Sequence, residues 1–212
     1  VVIFHIEDTF HEGNMQNKIE NITFMDCEIT IYNVSLHFIH CVFVNIIFHA
    51  GGNAKVNLLL ERSVFTKLLI IEIKNYGVVS VNKCKFENIT LRGLSIMFYF
   101  SRVSKIVMSS CLGKSIKGSI LAAHSCHTIE LHYLVISEVT RTNANFTEHT
   151  ALTITNSITL KIDMSKVIYC QSRFLFVKDT LNIFLEKVNL NTTQSIYGTL
   201  NIVYSYLKRH GY

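Results

Sequence analysis

The sequence predicts an all-β fold in which short strands stack on one another as a parallel solenoid. First, one apolar and polar phrase recurs along the chain, and self-similarity at a period of about 20 to 50 residues is typical of solenoids and propellers. Second, Ile and Val together outnumber Leu, and β-branched side chains favour strands over helices. Third, the chain contains no Pro, no Asn-Gly and no Asp-Gly, although those two dipeptides are the strongest hairpin signals.

The recurring phrase is clearest in residues 79–91, V-S-V-N-K-C-K-F-E-N-I-T-L. Val79 and Val81 face the same side of a first strand, a polar corner follows, and Cys84 and Phe86 begin a second strand. Such a segment cannot bury its apolar face alone. Stacking it in register on the next copy, at about 4.8 Å per turn, pairs the backbone groups and places like side chains together.

Looser copies of this phrase follow one another from the N-terminus to the C-terminus. They begin at Ile22, Leu36, Leu58, Val79, Ile106, Ile129, Ile158, Leu181 and Leu200. The interval between Phe24 and Phe38 is too short for a full turn, so the register of the first copy is expected to be wrong. The longer intervals predict corner loops that bulge outward around 113–118 and 140–149.

The segments C-V-F-V-N-I at 41–46, S-V-F-T-K-L at 63–68 and C-K-F-E-N-I at 84–89 resemble the rungs of the pectin-lyase-like proteins. The resemblance covers residues 19–207. It implies a right-handed parallel β-helix of about eight irregular turns, formed by residues 1–212 as one domain. The chain does not begin with Met, which favours a segment of a longer protein. A leucine-rich repeat shares the period, but its Leu-dominated frame and helical half are not apparent.

Charge and hydropathy argue against two classes of partner. The net charge of +5 is spread along the chain, and Lys208-Arg209 is the densest basic pair, so no nucleic-acid partner is expected. Charged residues interrupt every apolar run before about 18 residues, so no transmembrane segment is expected in this stretch. The first residues show no basic region before an apolar run, so no signal peptide is visible.

The resemblance also implies an alternative function, because polysaccharide lyases and glycoside hydrolases use this fold. Their hydrolase motifs N-T-D, D-D and R-I-K are absent, and only His210-Gly211 matches H-G. Hydrolysis of a glycosidic bond needs two carboxylates flanking that bond, and the four Asp are far apart in sequence. No catalytic residue and no cofactor are therefore predicted.

Four of the six cysteines, Cys27, Cys41, Cys84 and Cys111, occupy the same inward position of the phrase. This placement favours buried free thiols that pack as small apolar side chains. Cys84 and Cys111 lie on neighbouring predicted turns, so a disulfide between them is the alternative.

Two histidine clusters suggest a metal at first sight, His37-x-x-His40-Cys41 and His124-x-Cys126-His127. Zinc needs three or four converging ligands. Because side chains alternate along a strand, His37 is expected to point outward while Cys41 points inward. No metal site is therefore predicted.

Five sequons for N-linked glycosylation begin at Asn21, Asn33, Asn88, Asn145 and Asn191. Glycosylation requires the secretory route and an exposed asparagine. The alternative is that Asn is simply a favourable corner residue in such a coil.

These observations favour a non-catalytic, secreted or cell-surface glycoprotein that acts as a rigid structural scaffold or adhesive rod. Its expected partners are other copies of itself or other chains, bound end to end or through a face, and glycans. A filament subunit is a further hypothesis, because Val1-Val2-Ile3-Phe4 begins the chain without a polar cap.

Overall fold

A computed structural model describes the backbone of residues 2–7, 17–91, 96–140, 150–198 and 202–209. Side chains are described for the same residues except 68, 171–173, 190–198 and 202–209. Within these residues the regular elements are all β-strands, and the strands pair in parallel. The strands are β1 (Val2–Glu7), β2 (Asn17–Glu20), β3 (Thr23–Met25), β4 (Cys27–Tyr32), β5 (Leu36–Ile39), β6 (Val42–Gly51), β7 (Asn57–Glu61), β8 (Val64–Lys74), β9 (Val78–Asn82), β10 (Lys85–Thr90), β11 (Ile96–Ser101), β12 (Lys105–Ser109), β13 (Leu112–Lys117), β14 (Ser119–His124), β15 (Thr128–His132), β16 (Val135–Thr140), β17 (Thr150–Thr155), β18 (Thr159–Asp163), β19 (Lys166–Lys178), β20 (Asn182–Gly198) and β21 (Ile202–Arg209).

The strands coil into a right-handed parallel β-helix, which confirms the predicted fold class. The coil has about seven turns rather than the expected eight. Each strand pairs with the equivalent strand of the next turn, as when β9 pairs with β12 and β12 pairs with β15.

Each turn has three sides, which we call faces A, B and C. Face A contains β2, β5, β7, β9, β12, β15 and β18, and it continues into the first part of β20. Face B contains β3, β10, β13, β16 and the first parts of β6, β8 and β19. Face C contains β1, β4, β11, β14, β17 and the later parts of β6, β8 and β19.

Most of the described corners between faces contain a single residue in the left-handed conformation, with φ between about 47° and 67°, while the CA corner at 52–56 turns without one. The AB corner has Asn21, His40, Arg62, Lys83, Ser110, Tyr133, Met164 and Lys187; the BC corner has Asp26, Asn45, Lys67, Asn88, Ser115, Glu138 and Tyr169; the CA corner has Asn33, Asn75, Arg102, Ser125, Asn156 and Asp179. Asn and Asp visit this conformation most easily among residues with a side chain, which explains why Asn is so frequent at the corners.

The AB corner keeps one length in every described turn, whereas the other corners vary. The last inward residue of face A and the buried corner residue are always three positions apart, as in Val81 and Cys84 or Leu131 and Leu134. Extra residues are found instead between the BC corner and face C, and at the CA corner. Faces A and B therefore form a regular double surface along the coil.

The interior of face B is a ladder of stacked phenylalanines. Phe24, Phe43, Phe65 and Phe86 lie on successive turns, with ring centroids 5.2, 4.6 and 5.1 Å apart. Such aromatic contacts add about 0.5–1.5 kcal/mol each beyond the burial of apolar area. Phe24 thus stacks on Phe43 of face B rather than on Phe38 of face A, which explains the short interval in the sequence.

The next position in this ladder is Gly113, and the missing side chain leaves a small cavity. The cavity has a volume of about 20 Å³, and its lining includes Phe86, Met97 and Ile136. The expected outward loop at 113–118 is wrong, because β13 covers Leu112–Lys117. Most of the second expected loop, 140–149, lies outside the described residues.

The expected register is right over the middle turns and is wrong by two residues at one later step, after Leu131. Phe38, Leu60, Val81, Met108 and Leu131 stack as the recurring phrase predicts. The residue opposite Leu131 is Ile162 rather than the expected Leu160, whereas Leu160 lies opposite Ile183 as expected. A slip of two residues leaves inward side chains inward and outward side chains outward, so the alternation of apolar and polar residues cannot detect it.

Candidate interaction surface

The buried residue of the AB corner forms a column of small side chains. Cys41, Ser63, Cys84 and Cys111 stack there on successive turns. Ser63 is fully buried, accepts a hydrogen bond from the Cys41 amide and donates one to the Glu61 carbonyl. The hydroxyl is therefore satisfied, which removes the desolvation cost of burying it.

The cysteines of this column are free, buried and protonated. Burial raises the pKa of Cys84 to about 12, with a smaller contribution from the neighbouring Cys111, and it raises the pKa of Cys111 to about 11. Because the thiolate is the reactive form, such thiols are poor nucleophiles. All six cysteines are free here, and a disulfide between the adjacent Cys84 and Cys111 stays a prediction.

Cys27 does not belong to this column. Its neighbour Glu28 pairs with Ile47, so Cys27 stacks beside Ile46 at the start of face C. The expectation that Cys27 shares the position of Cys41 is therefore wrong, for the same reason that the first interval of the sequence is short.

Three of the five sequon asparagines are corner residues. Asn21, Asn33 and Asn88 occupy the AB, CA and BC corners respectively. The residue after each is apolar, and the Thr or Ser that completes the sequon faces outward. At Asn33 and Asn88 the sequon pattern therefore coincides with a corner residue, a buried residue and an outward residue, whereas Ile22 after Asn21 is 46% exposed.

Exposure differs among these asparagines. Asn21 and Asn88 are exposed, whereas Asn33 is partly buried and its side-chain carbonyl accepts a hydrogen bond from the Asn53 amide. Asn145 lies outside the described residues, and the backbone of Asn191 lies in β20 without a described side chain. Glycosylation of all five stays a prediction.

The two histidine clusters are divided between the outside and the inside of the coil. His37 lies on the outer side of face A, 3.2 Å from Glu61, while Cys41 is buried. His124 lies 3.0 Å from the Thr155 hydroxyl, and Cys126 is buried. Within the described ranges, no group of three His, Cys, Asp or Glu is arranged to hold a metal.

A charged cluster, which the sequence reasoning did not find, lies on the outer side of face A. His132 Nδ1 is 2.7 Å from Asp163 Oδ1, and His132 Nε2 is 3.6 Å from Glu130 Oε2. Lys105 Nζ is 3.0 Å from the same Glu130 oxygen, and Lys161 Nζ is 3.2 Å from Asp163. We call these five residues the face A cluster.

Lys105 and His132 lower the pKa of Glu130 in this cluster. Partial burial raises the pKa of Glu130, but hydrogen bonds and charge attraction from Lys105 and His132 outweigh it, so the net pKa lies below its ordinary value. Glu130 is thus held ionised, and the contacts of Lys105 with Glu130 and of His132 with Asp163 tie adjacent turns together. The only sequence signal is that Glu130-x-His132 and Lys161-x-Asp163 occupy the same positions of β15 and β18.

Beside this cluster, the AB corner forms an exposed ridge. We define the AB ridge as the corner residues from 40 to 187 together with the first outward residues of face B. It contains His40, Arg62, Lys83, Ser110, Tyr133, Met164 and Lys187 with Val42, Val64, Lys85, Leu112, Val135, Lys166 and Asn189.

The AB ridge contains an apolar patch with lysines on both sides of it. Tyr133, Met164, Val135 and Leu112 are 58%, 41%, 38% and 36% exposed. Lys83 and Lys85 lie on the turn before this patch, and Lys166 and Lys187 lie on the turns that end it. The corner positions of this ridge carry no acidic residue, whereas the described BC and CA corners include Asp26, Glu138 and Asp179.

The chain matches no protein-family model, no curated protein and no solved structure at a significant level. The resemblance to the pectin-lyase-like proteins is therefore supported as an architecture, the parallel β-solenoid, and not as membership of that family. Within the described residues, no helix is long and apolar enough to cross a membrane.

Proposed function

We propose that this protein is a non-catalytic structural scaffold that presents the regular surface formed by faces A and B to partners at a cell surface or outside the cell. The observation that carries this proposal is the constant AB corner. It keeps two strand faces in register over the whole coil, while the variable residues are confined to the far side. A binding surface needs such geometric constancy, because complementarity is lost when the backbone shifts between turns.

Rigidity supports the same proposal. The core is continuous from Phe24 to Val188. On the outer side of face A, four side-chain contacts among the described residues join one turn to the next: His37 with Glu61, Asn82 with Ser109, Lys105 with Glu130 and His132 with Asp163. At about 4.8 Å per turn, seven turns span on the order of 34 Å. Local opening would have to break several strand pairings at once, so the surface is well suited to act as a fixed spacer.

A carbohydrate-active enzyme is the second candidate, and the face A cluster favours it. In the strand register, Asp163 lies opposite Glu186 of the next turn, and Glu130 lies on the turn before Asp163. Two carboxylates with an imidazole between them are the groups that general acid and base catalysis uses. The scaffold is preferred because Glu130 and Asp163 are already engaged by the cluster's own side chains, Lys105 and His132 for Glu130 and His132 and Lys161 for Asp163.

One experiment separates the two candidates. The purified chain is incubated with uronate-rich and neutral polysaccharides, and both retardation in affinity gels and new reducing or unsaturated ends are measured. A scaffold gives no new ends, and the Asp163→Asn variant behaves like the wild type. New ends that disappear in Asp163→Asn would establish the enzyme and end the scaffold proposal.

The location is tested separately. The chain is secreted from a eukaryotic host, and its intact mass is measured before and after enzymatic glycan removal. Exposed Asn21 and Asn88 are the positions where we expect occupancy, and each Asn→Gln variant should remove one glycan mass. An unchanged mass would contradict the glycoprotein part of the proposal.

A further inference from the structure

The AB ridge has a chemistry of its own that the scaffold function does not explain. It places four exposed apolar side chains on three adjacent turns, at a vertex of a three-sided coil. Isolated exposed apolar residues are common, but a contiguous group rimmed by polar residues marks an interaction site. We propose that this ridge binds the surface of an anionic lipid bilayer. The inference rests on the proposed scaffold function and names a partner for its ridge.

Charge is the first argument for this partner. Within the described part of the chain, no carboxylate is within ion-pair distance of Lys83, Lys85 or Lys166, whereas Arg62 and Lys187 are each 3.5 Å from a neighbouring Glu. The nearby acids of face A already have cationic partners, since Asp163 contacts His132 and Lys161. The free cations of this edge are therefore available to an external anion.

Shape is the second argument. A single left-handed residue turns the chain at each AB corner, so the flanking side chains diverge and the ridge is convex. A convex edge cannot enclose a peptide or a sugar chain. A bilayer interface accepts a protruding apolar edge, because apolar side chains enter the boundary between headgroups and acyl chains while lysines remain at the phosphates.

The identity of the exposed side chains is the third argument. Leu112, Val135 and Met164 are aliphatic, and Tyr133 is amphipathic. Sugar rings favour aromatic faces, whereas aliphatic side chains gain most from an acyl environment. Lys85 and Lys166 are three turns apart, about 14 Å, so the apolar patch between them is short enough for both lysines to reach one surface.

Vesicle sedimentation tests the proposal with the 212-residue chain. Vesicles of phosphatidylcholine alone are compared with equimolar phosphatidylcholine and phosphatidylserine, at low salt and then with salt added. We expect binding only to the anionic vesicles, and we expect added salt to weaken it. The Lys85→Gln/Lys166→Gln double variant should bind about 25-fold more weakly, since each lysine contributes roughly five-fold.

The matched control is Lys55→Gln/Arg102→Gln, which removes the same charge from two exposed residues at the CA corner. This control should bind like the wild type. Tyr133→Asn should also weaken binding, and Asn is compatible with the left-handed backbone at that corner. Circular dichroism of each variant confirms that the strands are retained.

Three results would overturn the proposal. The first is no binding to anionic vesicles at low salt. The second is equal weakening by the two double variants, which would show a non-specific effect of net charge. The third is ridge-dependent binding of soluble polyglutamate that matches binding to vesicles, which would identify an acidic protein partner. None of these results changes the polysaccharide test, so failure of the lipid inference is distinguishable from failure of the scaffold function.

Discussion

At the scale of single residues, the backbone of the corners determines which side chains the sequence prefers. Twenty-one of the described corner residues with a side chain have positive φ, and six of them are Asn. For a residue with a Cβ this conformation costs roughly 1–2 kcal/mol, and Asn reduces that cost by local hydrogen bonding. Large residues at the same corners, such as Tyr133, Met164 and Tyr169, are therefore retained at some cost to stability.

Replacing one of these large residues should stabilise the fold. Tyr169 lies at the BC corner with φ 60° and is 63% exposed, so replacing it removes little buried surface. We expect Tyr169→Asn to raise the free energy of unfolding by about 1 kcal/mol, measured by urea denaturation. Asn156→Leu, at an equivalent CA corner, should lower it by a similar amount. An unchanged value for both would contradict the corner argument.

At the scale of the element, the ladders explain how much of the fold could be predicted. The alternating phrase and the constant AB corner predict the parallel coil and the register of Phe38 through Leu131, because both depend on local spacing. The step from Leu131 to the next turn could not be aligned, since a two-residue slip leaves inward and outward residues unchanged. The face A cluster was missed because Glu130 and Asp163 come together only across an interval that includes residues 141–149.

The interrupted phenylalanine ladder gives a test of core packing. A Cβ added at Gly113 would lie 3.1 Å from the flexible end of Ile116 and would partly fill the cavity. We expect Gly113→Ala to raise the free energy of unfolding by about 1 kcal/mol, since it also removes backbone entropy from the unfolded chain. The measurement is again urea denaturation.

Gly118 is the matched control for this substitution. It has φ +128°, and its Cβ would lie 2.8 Å from the side chain of Leu91. Gly118→Ala should therefore destabilise the protein. Destabilisation by Gly113→Ala as well would show that the Ile116 side chain cannot move.

At the scale of the whole molecule, ion pairs between turns make stability depend on pH. The pKa of Glu130 is lowered below its ordinary value of 4.5, so its contribution is present above pH 4.5 and is lost as the pH falls through the folded value. Lys105→Met removes the main cation, so burial should then raise this pKa. We expect the variant to lose less stability than the wild type on acidification below about 4.5.

The measurement is the free energy of unfolding as a function of pH, with the Glu130 carboxyl titrated by carbon NMR. Lys55→Met is the control, because Lys55 is exposed and has no described ion pair. Identical pH profiles for wild type and Lys105→Met would show that the cluster does not link folding to protonation.

The first turn offers a test of self-association. Val2, Ile3 and Phe4 in β1 are all exposed, and within the described residues β1 pairs with β4 alone. An open strand edge with apolar side chains favours pairing with another chain. We expect the 212-residue chain to associate reversibly in sedimentation velocity and Ile3→Lys to be monomeric. A wild-type monomer at high concentration would contradict the filament hypothesis.

The constant length of the AB corner also determines which side chains of face B point into the core. Because side chains alternate, one residue inserted there would exchange the core and solvent sides of all of face B in that turn, and the phenylalanine ladder would be turned outward. Deletion of one residue would have the same effect. We therefore expect this corner to accept substitutions but no change in the number of its residues. Peptide tags, fluorophores or grafted loops therefore belong on the opposite side of the coil, where the number of residues already differs from one turn to the next.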